Sequence, residues 1–281
     1  MTIDIICPLY NAERDIERLN NSILKQKGVN INKIRYVVTE SKDKTEEKLK
    51  KIGLEYKKIR KQDFSHGYTR ETEALNSKAD ILVFITQDII IEKVDWLFNL
   101  TKDIENGTVD ACYSRQICNN NTIEKYTREC NYPMESKIVS KDDIETLGLK
   151  TFFFSDASSA IKRETFVKLN GYDHKKLIIN EDMYIAYKLI TNGYKIKYCA
   201  DSEVIHSHIF TLKQYYDRYK DTGKFFKENS YLNNYKVNQA GGSMAEYVLK
   251  RAIQDKNWKV LVGFVPNMAA RFIGMKMGKF K

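Results

Sequence analysis

The sequence predicts an open α/β fold whose sheet is largely parallel. Short apolar runs rich in β-branched residues alternate with segments of helical periodicity, and each run ends in polar residues. Strand–helix–strand repeats at this spacing favour parallel strands joined by right-handed crossovers. The strands predicted in the first half of the chain are Ile3–Cys7, Ile34–Val38, Tyr56–Ile59 and Ile81–Ile85.

Helices are predicted where apolar residues recur at helical spacing. In the first half they are Asp15–Lys25, Thr45–Ile52, a helix ending near Ser77, and Val94–Ile104. The second half is expected to contain strand-like runs at Ala111–Ser114, Ile196–Cys199 and Glu203–Ile205, and helices at Tyr184–Ile190, Thr211–Phe226 and Ser243–Gln254. Ile117–Lys150 lacks clear periodicity, which predicts a flap or a functional insertion.

The bulk composition excludes several classes of protein. An apolar fraction of 42% over 281 residues can build a packed core, which excludes a disordered chain. The formal net charge of +10 favours an anionic partner. No zinc-finger or RNA-binding aromatic pattern accompanies this charge, so nucleic acid is not expected. The five cysteines form no C-x-x-C pair, and no signal peptide is evident, which favours a reducing cytosol and packing roles.

Asp88 follows Thr86 and Gln87 at the end of a strand expected to be buried on both faces. Ligands of open α/β sheets bind outside the carboxyl ends of the strands. Asp88 is therefore a candidate ligand for a divalent cation; the alternative is that it ends the strand or caps the next helix. His206 and His208 stand at i and i+2, so in an extended chain both imidazoles face one way. Two histidines alone are a weak metal signal.

Two predicted helix starts carry further candidates. Glu181 and Asp182 lie in a first turn, where they either complement the helix dipole or supply a general base. His66, Gly67 and Arg70 precede or open another helix, where backbone N–H groups and the guanidinium could receive a phosphate. The alternative for the second group is an ordinary surface loop.

The C-terminal segment Trp258–Lys281 mixes apolar residues with lysine and arginine, and the chain has no acidic residue after Asp255. This composition predicts a helix that lies on a membrane surface. No run is long and apolar enough to span a membrane. The alternative is a helix that packs on the protein's own core or on a second copy.

The order of these motifs resembles that of family 2 inverting glycosyltransferases, and within them the bacterial rhamnosyltransferases of surface-polysaccharide assembly. The matching motifs are Pro8-Leu9-Tyr10-Asn11 (P-x-Y-N), Phe64–Arg70 (F-x-H-G-x-T-R), Thr86-Gln87-Asp88 (T-Q-D), Arg115-Gln116 (R-Q), Glu181-Asp182 (E-D) and His206-Ser207-His208 (H-S-H). The resemblance extends from Thr2 to Phe226, with a tail of similar type at Arg271–Lys279.

The resemblance implies a GT-A fold, a Rossmann-like nucleotide-diphospho-sugar transferase with a mixed sheet flanked by helices and, here, a C-terminal helical extension. It implies a transferase domain at residues 1–226, divided at 115/116 into a nucleotide-sugar half and an acceptor half, and an extension at 227–281. The implied reaction moves L-rhamnose from dTDP-β-L-rhamnose, with inversion, to a hydroxyl of a lipid-linked glycan. The implied location is the cytoplasmic side of the cell membrane, with peripheral attachment.

Three alternatives remain open. The donor could be a UDP-linked sugar. The chain could be a non-catalytic nucleotide-sugar-binding or membrane scaffold protein on the same fold. The chain could also form a homodimer.

Each site residue receives its implied role from the family motif or chain region in which it lies. Asp182 is the implied catalytic base, and Asp88, His206 and His208 are the implied ligands of Mn²⁺ or Mg²⁺. The implied donor contacts are Pro8, Tyr10, Asn11, Glu40, His66, Gly67, Arg70, Gln87 and Asp88. The implied acceptor-side residues are Arg115, Asp156 and Glu181.

Two positions depart from the family pattern. The acidic D-x-G-S segment that many members carry after the second strand reads Val38-Thr39-Glu40-Ser41 here, so the expected base or ribose contact either moves to Glu40 or is weaker. The R-N pair after the H-G loop reads Arg70-Glu71, so no Asn-type contact is expected there.

Overall fold

The computed structural model describes residues 1–235 and 240–280. Its strands are β1 (Thr2–Leu9), β2 (Asn30–Thr39), β3 (Tyr56–Ile59), β4 (Ile81–Ile85), β5 (Ala111–Ile117), β6 (Lys137–Val139), β7 (Ser158–Lys162) and β8 (Ile196–Ile205). They form one sheet in the order β3-β2-β1-β4-β7-β5-β8-β6. β1 pairs in parallel with β2 and β4, and β2 with β3, whereas β7 runs antiparallel between β4 and β5. The mixed sheet implied by the resemblance is confirmed. The parallel pairing predicted from the strand–helix repeats holds for β1, β2, β3 and β4, whereas the pairings of β7 with β4 and β5 and of β6 with β8 are antiparallel.

The α-helices of the described residues are interspersed with these strands up to β8, after which only helices follow. They are α1 (Ile16–Leu24), α2 (Thr45–Lys51), α3 (His66–Leu75), α4 (Trp96–Glu105), α5 (Ile123–Asn131), α6 (Ile144–Leu147), α7 (Arg163–Lys168), α8 (Glu181–Thr191), α9 (Leu212–Glu228), α10 (Ala240–Gln254) and α11 (Trp258–Phe280). The helices predicted from apolar spacing are present, with ends that differ by a few residues.

β1 continues through Pro8 instead of ending before it. The pairing of β1 with β4 stops at Ile6, so beyond this point β1 has only β2 beside it. Pro8 lies opposite Val37 of β2. A proline is tolerated where one side of a strand needs no ladder hydrogen bond.

Two predictions about the second half of the chain are wrong in detail. The stretch expected to lack elements contains α5, β6 and α6. The periodicity of α5 is hidden because its buried positions include a tyrosine and a threonine. The two strand-like runs near residue 200 form the single strand β8.

β7 is not predicted because its sequence, Ser-Ser-Ala-Ile-Lys, offers few large apolar residues. Its small side chains instead leave room for the indole of Trp96, which is fully buried. Trp96 Nε1 lies 3.1 Å from the hydroxyl oxygens of both Ser114 and Ser158. The small side chains of β7 therefore serve to accommodate this one large side chain.

The chain divides into two compact units. Unit 1 comprises residues 1–115, 134–141 and 152–206, and its apolar core lies between the sheet and helices α1 and α4. Unit 2 comprises residues 116–133, 142–151 and 207–281, and its core is drawn from α5, α9, α10 and α11. The predicted domain boundary after Phe226 falls inside α9.

In unit 2, α9 and α11 touch through their backbones. A Cβ atom at Gly274 or Gly278 of α11 would overlap the carbonyl oxygen of Tyr216 or Lys220, respectively, on α9. Gly223 of α9 is equally close to α11. The opposite face of α11 is exposed, so the helix packs on its own protein along one side only. In the described part of the chain, no helix combines the length and apolar content of a membrane span.

This backbone contact generates a prediction with a matched control. Gly278→Ala should destabilise the protein by about 1–3 kcal/mol because the added methyl group overpacks the helix contact. Gly263→Ala, on the same helix with open space around it, should be neutral or stabilising by up to about 1 kcal/mol from helix propensity. Urea unfolding of both variants measures the difference. Equal stabilities would show that the two helices do not touch at Gly278.

Candidate active site

The loops after β1, β2 and β4 lie at one edge of the sheet because these neighbouring strands run parallel. Gln87 joins two of these loops. The backbone N–H of Tyr10 donates to Gln87 Oε1 at 2.7 Å, and Gln87 Nε2 donates to the carbonyl of Tyr10 at 2.9 Å. Both polar atoms of the Gln87 side-chain amide therefore hydrogen-bond the backbone of Tyr10 and hold it in place.

Asn11 fixes the turn that follows. Its φ of 50° is left-handed, a conformation that asparagine tolerates better than most residues. Its Oδ1 accepts from the backbone N–H of Lys42 at 2.9 Å, and its own N–H donates to the Ser41 hydroxyl at 3.0 Å. The β1 loop and the β2 loop are thus tied together beside Glu40.

Lys61 is a residue at this edge that the sequence analysis missed. Its backbone N–H donates to Glu40 Oε2 at 3.2 Å, and its Nζ lies 5.7 Å from the centroid of the Tyr10 ring. Tyr10 and Glu40 are both exposed. A basic residue shortly after β3, another parallel strand of the same edge, is the signal that could have identified it.

Asp88 and His206 are brought together by a β-bridge. Ile90, just after Asp88, exchanges backbone hydrogen bonds of 2.8 and 2.9 Å with Ile205, the last residue of β8. Asp88 Oδ2 consequently lies 3.5 Å from His206 Nε2. Asp88 is partly exposed and His206 nearly buried. His208 follows two residues later, at the start of unit 2, and its part in the same site stays a prediction.

The start of α3 does not present free donors as expected. Ser65 caps the helix by accepting from Tyr68 N at 3.1 Å, and its carbonyl accepts from Thr69 N. The N–H of Gly67 donates to the carbonyl of Leu177 at 3.0 Å. These partners argue against the expectation that the helix start receives a phosphate. Gly67 serves close packing, since an added Cβ would lie 3.1 Å from Leu177 Cβ.

Arg70 is enclosed within unit 1, with 1% of its surface exposed. Its Nη1 donates to Glu181 Oε1 at 3.1 Å and lies 3.1 Å from His66 Nδ1, and its Nη2 lies 3.4 Å from the Asp156 carbonyl oxygen. Burial opposes the charge, but Glu181 and Asp156 outweigh it and hold the guanidinium pKa above its ordinary value. The expected contact between Arg70 and a diphosphate has no support in this geometry.

Asp156 is also enclosed, at 1% exposed, which corrects the expectation that it faces an acceptor. Its two carboxylate oxygens accept from the hydroxyls of Ser159 at 2.7 Å and Tyr172 at 2.6 Å. Burial raises the pKa of Asp156, against the lowering effect of Arg70. Tyr172 is a second residue that the sequence analysis did not single out.

The remaining predicted residues are partly accessible. Asp182 is half-buried in the first turn of α8, and its Oδ1 accepts from Met183 N at 2.8 Å. Arg115 Nη1 donates to Glu203 Oε1 at 2.9 Å. Neither side chain is enclosed in the way that Arg70 is.

Cys7 is a buried thiol of β1 close to this region. Burial raises the pKa of the Cys7 thiol; Arg70 lowers it and Asp88 raises it further. Both charged groups therefore lie within electrostatic reach of one buried atom at the end of β1. The thiol stays neutral, in agreement with its predicted packing role.

Comparison with known proteins identifies the family of the chain. The sequence profile of glycosyl transferase family 2 matches residues 4–169. The O-antigen chain rhamnosyltransferase RfbN of Salmonella typhimurium is 34% identical over 292 residues, which cover 99% of this chain and 90% of that protein. The O-antigen chain rhamnosyltransferase WbaN of Salmonella anatum is 35% identical over 231 residues, covering 79% of this chain and 71% of that protein.

Solved structures share the fold at low sequence identity. The mannosyltransferase PcManGT from Pyrobaculum calidifontis, in complex with GDP-Man and Mn²⁺, superposes with a TM-score of 0.62 at 16% identity, covering 99% of this chain and 86% of that one. S. aureus TarS 1-349 gives a TM-score of 0.58 at 16% identity, covering 90% of this chain and 72% of that one. With the profile, the relatives and the sheet topology in agreement, the chain belongs to glycosyl transferase family 2 and is a glycosyltransferase with the GT-A fold.

Proposed function

We propose that the chain transfers L-rhamnose from dTDP-β-L-rhamnose, with inversion, to a hydroxyl group of a lipid-linked cell-surface glycan. The observation that carries the proposal is the approach of Asp88 to His206 at the end of β4, next to the loops after β1 and β2. Two relatives described as O-antigen chain rhamnosyltransferases support the choice of sugar and glycan. The sequence motifs F-x-H-G-x-T-R and T-Q-D support the same choice.

The donor atoms of Asp88 and His206 fit a divalent cation. Ligands in neighbouring positions around an ion with bonds of about 2.1 Å lie roughly 3 Å apart, so the 3.5 Å between Oδ2 and Nε2 requires little closure. A carboxylate with an imidazole suits Mn²⁺ better than Mg²⁺, which prefers oxygen. Such a cation would neutralise charge on the leaving diphosphate. His208 is the proposed third ligand.

The nucleotide is proposed to lie over the carboxyl ends of β1, β2 and β3. Tyr10 offers an exposed aromatic face there, and Glu40 offers an exposed carboxylate for the base or ribose. Gln87 and Asn11 hold the loops that present these groups. Lys61 adds a positive charge close to the Tyr10 ring.

Asp182 is proposed to take the proton of the acceptor hydroxyl during in-line attack. It is partly exposed and lies in the first turn of α8, where the helix dipole favours an ionised carboxylate. Glu181, the residue before it, is nearly buried. Of these two neighbouring acids, Asp182 is the one that a substrate can reach.

The exposed face of α11 is proposed to rest on the inner surface of the cell membrane, where a lipid-linked acceptor would be. We define the outer ridge of α11 as its exposed large apolar side chains Trp258, Val262, Val265, Phe272, Ile273 and Phe280. Val262 and Phe280 are each 80% exposed. Lys259 and Lys276 accompany the ridge, and α11 contains no acidic residue, so its charge complements an anionic bilayer.

The donor assignment can be tested by thermal shift. Saturating dTDP-β-L-rhamnose with Mn²⁺ should raise the melting temperature by about 5 °C, as expected for about 2.7 kcal/mol of binding at one hundred times Kd. UDP-glucose and GDP-mannose should shift it less. Asp88→Ala should lose the part of the shift that depends on Mn²⁺, whereas Asp217→Ala, an exposed carboxylate on α9, should keep it. A larger shift with UDP-glucose than with dTDP-β-L-rhamnose would show that the donor is a UDP-linked sugar.

The base assignment can be tested by isosteric substitution. Asp182→Asn should reduce rhamnose transfer by about 10²–10⁴-fold, the usual contribution of a positioned base. Donor binding measured by calorimetry should be unchanged. Glu164→Gln, an exposed acid on α7, serves as the control. Near wild-type transfer by Asp182→Asn would remove Asp182 from the mechanism, and a wild-type chain that turns over no donor would favour the binding-protein alternative.

The membrane assignment can be tested by vesicle sedimentation. The protein should partition onto vesicles containing phosphatidylglycerol and less onto pure phosphatidylcholine. The double variant Val262→Glu/Phe272→Glu should weaken partition at least about tenfold, because each apolar side chain kept out of the interface loses on the order of 1 kcal/mol. Leu24→Glu, at an exposed apolar position on α1, should have no effect. If light scattering instead shows that the wild-type chain is a dimer and the double variant is a monomer, the outer ridge is a protein interface.

A further inference from the structure

Helix α3 holds the loop between α7 and α8 at two points. The N–H of Gly67 donates to the carbonyl of Leu177 at 3.0 Å. One turn further along α3, the buried carboxylate of Glu71 accepts from His174 N at 3.2 Å and lies 2.9 Å from His174 Nδ1. Both contacts are made by the side of α3 that faces the loop, so α3 sets the course of the chain toward α8.

A third contact reaches the first residue of α8 itself. Arg70, between Gly67 and Glu71 on α3, donates from Nη1 to Glu181 Oε1 at 3.1 Å. Asp182 is the next residue along the helix. The ion pair therefore acts one peptide unit away from the proposed base.

The start of α8 has no cap of the usual kind. Asn180, at the N-cap position, has a φ of 57° and makes no side-chain capping hydrogen bond. The hydrogen bond that an N-cap side chain normally accepts is made instead by Asp182 Oδ1, which accepts from Met183 N at 2.8 Å. The carboxylate of Glu181, held by Arg70, supplies an anchor at this point.

The other side of the Arg70 guanidinium faces Asp156. Its Nη2 contacts the Asp156 carbonyl oxygen, and the carboxylate of Asp156 is fixed by Tyr172 and Ser159. Thr86, at the end of β4, donates its N–H to the carbonyl of Ala157, the residue after Asp156. A continuous chain of contacts thus runs from the end of β4 through Arg70 to the start of α8.

We propose that Arg70 is a positioning residue, whose buried ion pair with Glu181 sets the place of Asp182 relative to the end of β4, and that its guanidinium does not contact the donor. The inference rests on the proposed role of Asp182 as base. With 1% of Arg70 exposed, the guanidinium has no surface to offer a diphosphate. A displacement of about 1 Å in a catalytic group can cost on the order of 10²-fold in rate, so this anchor matters for kcat.

The test separates kcat from donor binding. Arg70→Met and Glu181→Gln should each lower kcat by about 10–100-fold, while the Kd and KM for dTDP-β-L-rhamnose change less than about twofold. Arg70→Lys should recover part of the loss, since it restores a cation near Glu181. The double variant Arg70→Met/Glu181→Gln should lose no more than the worse single variant, because the two residues act as one unit.

Arg35→Met is the matched control for the general cost of breaking a buried ion pair. Arg35 Nε lies 2.7 Å from the fully buried Asp4 Oδ2 at the β1–β2 pairing. This variant should lower the melting temperature without lowering kcat at a temperature where it is folded. If Arg70→Met does not fold, Arg70→Lys and Glu181→Gln give the same comparison.

Two results would overturn the positioning role while leaving the proposed function intact. One is a loss of donor affinity in Arg70→Lys or Arg70→Met that accounts for the whole fall in kcat/KM. The other is independent, multiplying losses in kcat for the two single variants. Failure of the proposed function gives a different result, in which Asp182→Asn retains transfer activity.

Discussion

The pairing of β4 with parallel β1 on one side and antiparallel β7 on the other fixes the places of the candidate residues in unit 1. The parallel register brings Ile6 beside Phe84, so the loops after β1 and β4 leave the sheet together and Gln87 can hold Tyr10. The antiparallel register brings Ser158 beside Ile85 and places Asp156 near the end of β4. A slip of one residue in either register would send these side chains to the opposite face of the sheet.

The fold and several site residues could be predicted because their signals are local. The apolar run Ile81–Ile85 predicts a buried strand on its own, and the position of Asp88 at its carboxyl end follows from the rule for open sheets. The approach of Asp88 to His206 is not local. It depends on the bridge between Ile90 and Ile205, residues whose pairing leaves no pattern in either segment. The family resemblance alone predicted that Asp88 and His206 act together. The bridge between Ile90 and Ile205 is the physical reason that they lie close.

The sequence was less informative where burial decides the role of a polar residue. Arg70 and Asp156 stand in loop-like, polar surroundings in the sequence, which predicts contact with substrate. The structure encloses both, because Tyr172 and Ser159 provide partners for Asp156, and Glu181 provides one for Arg70. The structure also explains why a glutamate follows Arg70 where the family pattern has an asparagine. Glu71 accepts a hydrogen bond from the backbone N–H of His174 on the loop before α8. Periodicity cannot reveal such pairs because the partners lie up to 111 positions apart in the chain.

The distribution of thiols has a practical consequence for spectroscopy. Cys7, Cys112 and Cys199 are buried in unit 1, whereas Cys118 and Cys130, both in unit 2, are partly exposed. A thiol-reactive fluorophore or spin probe therefore attaches to unit 2 and leaves the three buried thiols of unit 1 unmodified. The natural chain can report on the environment of its helical unit without any cysteine having to be introduced or removed.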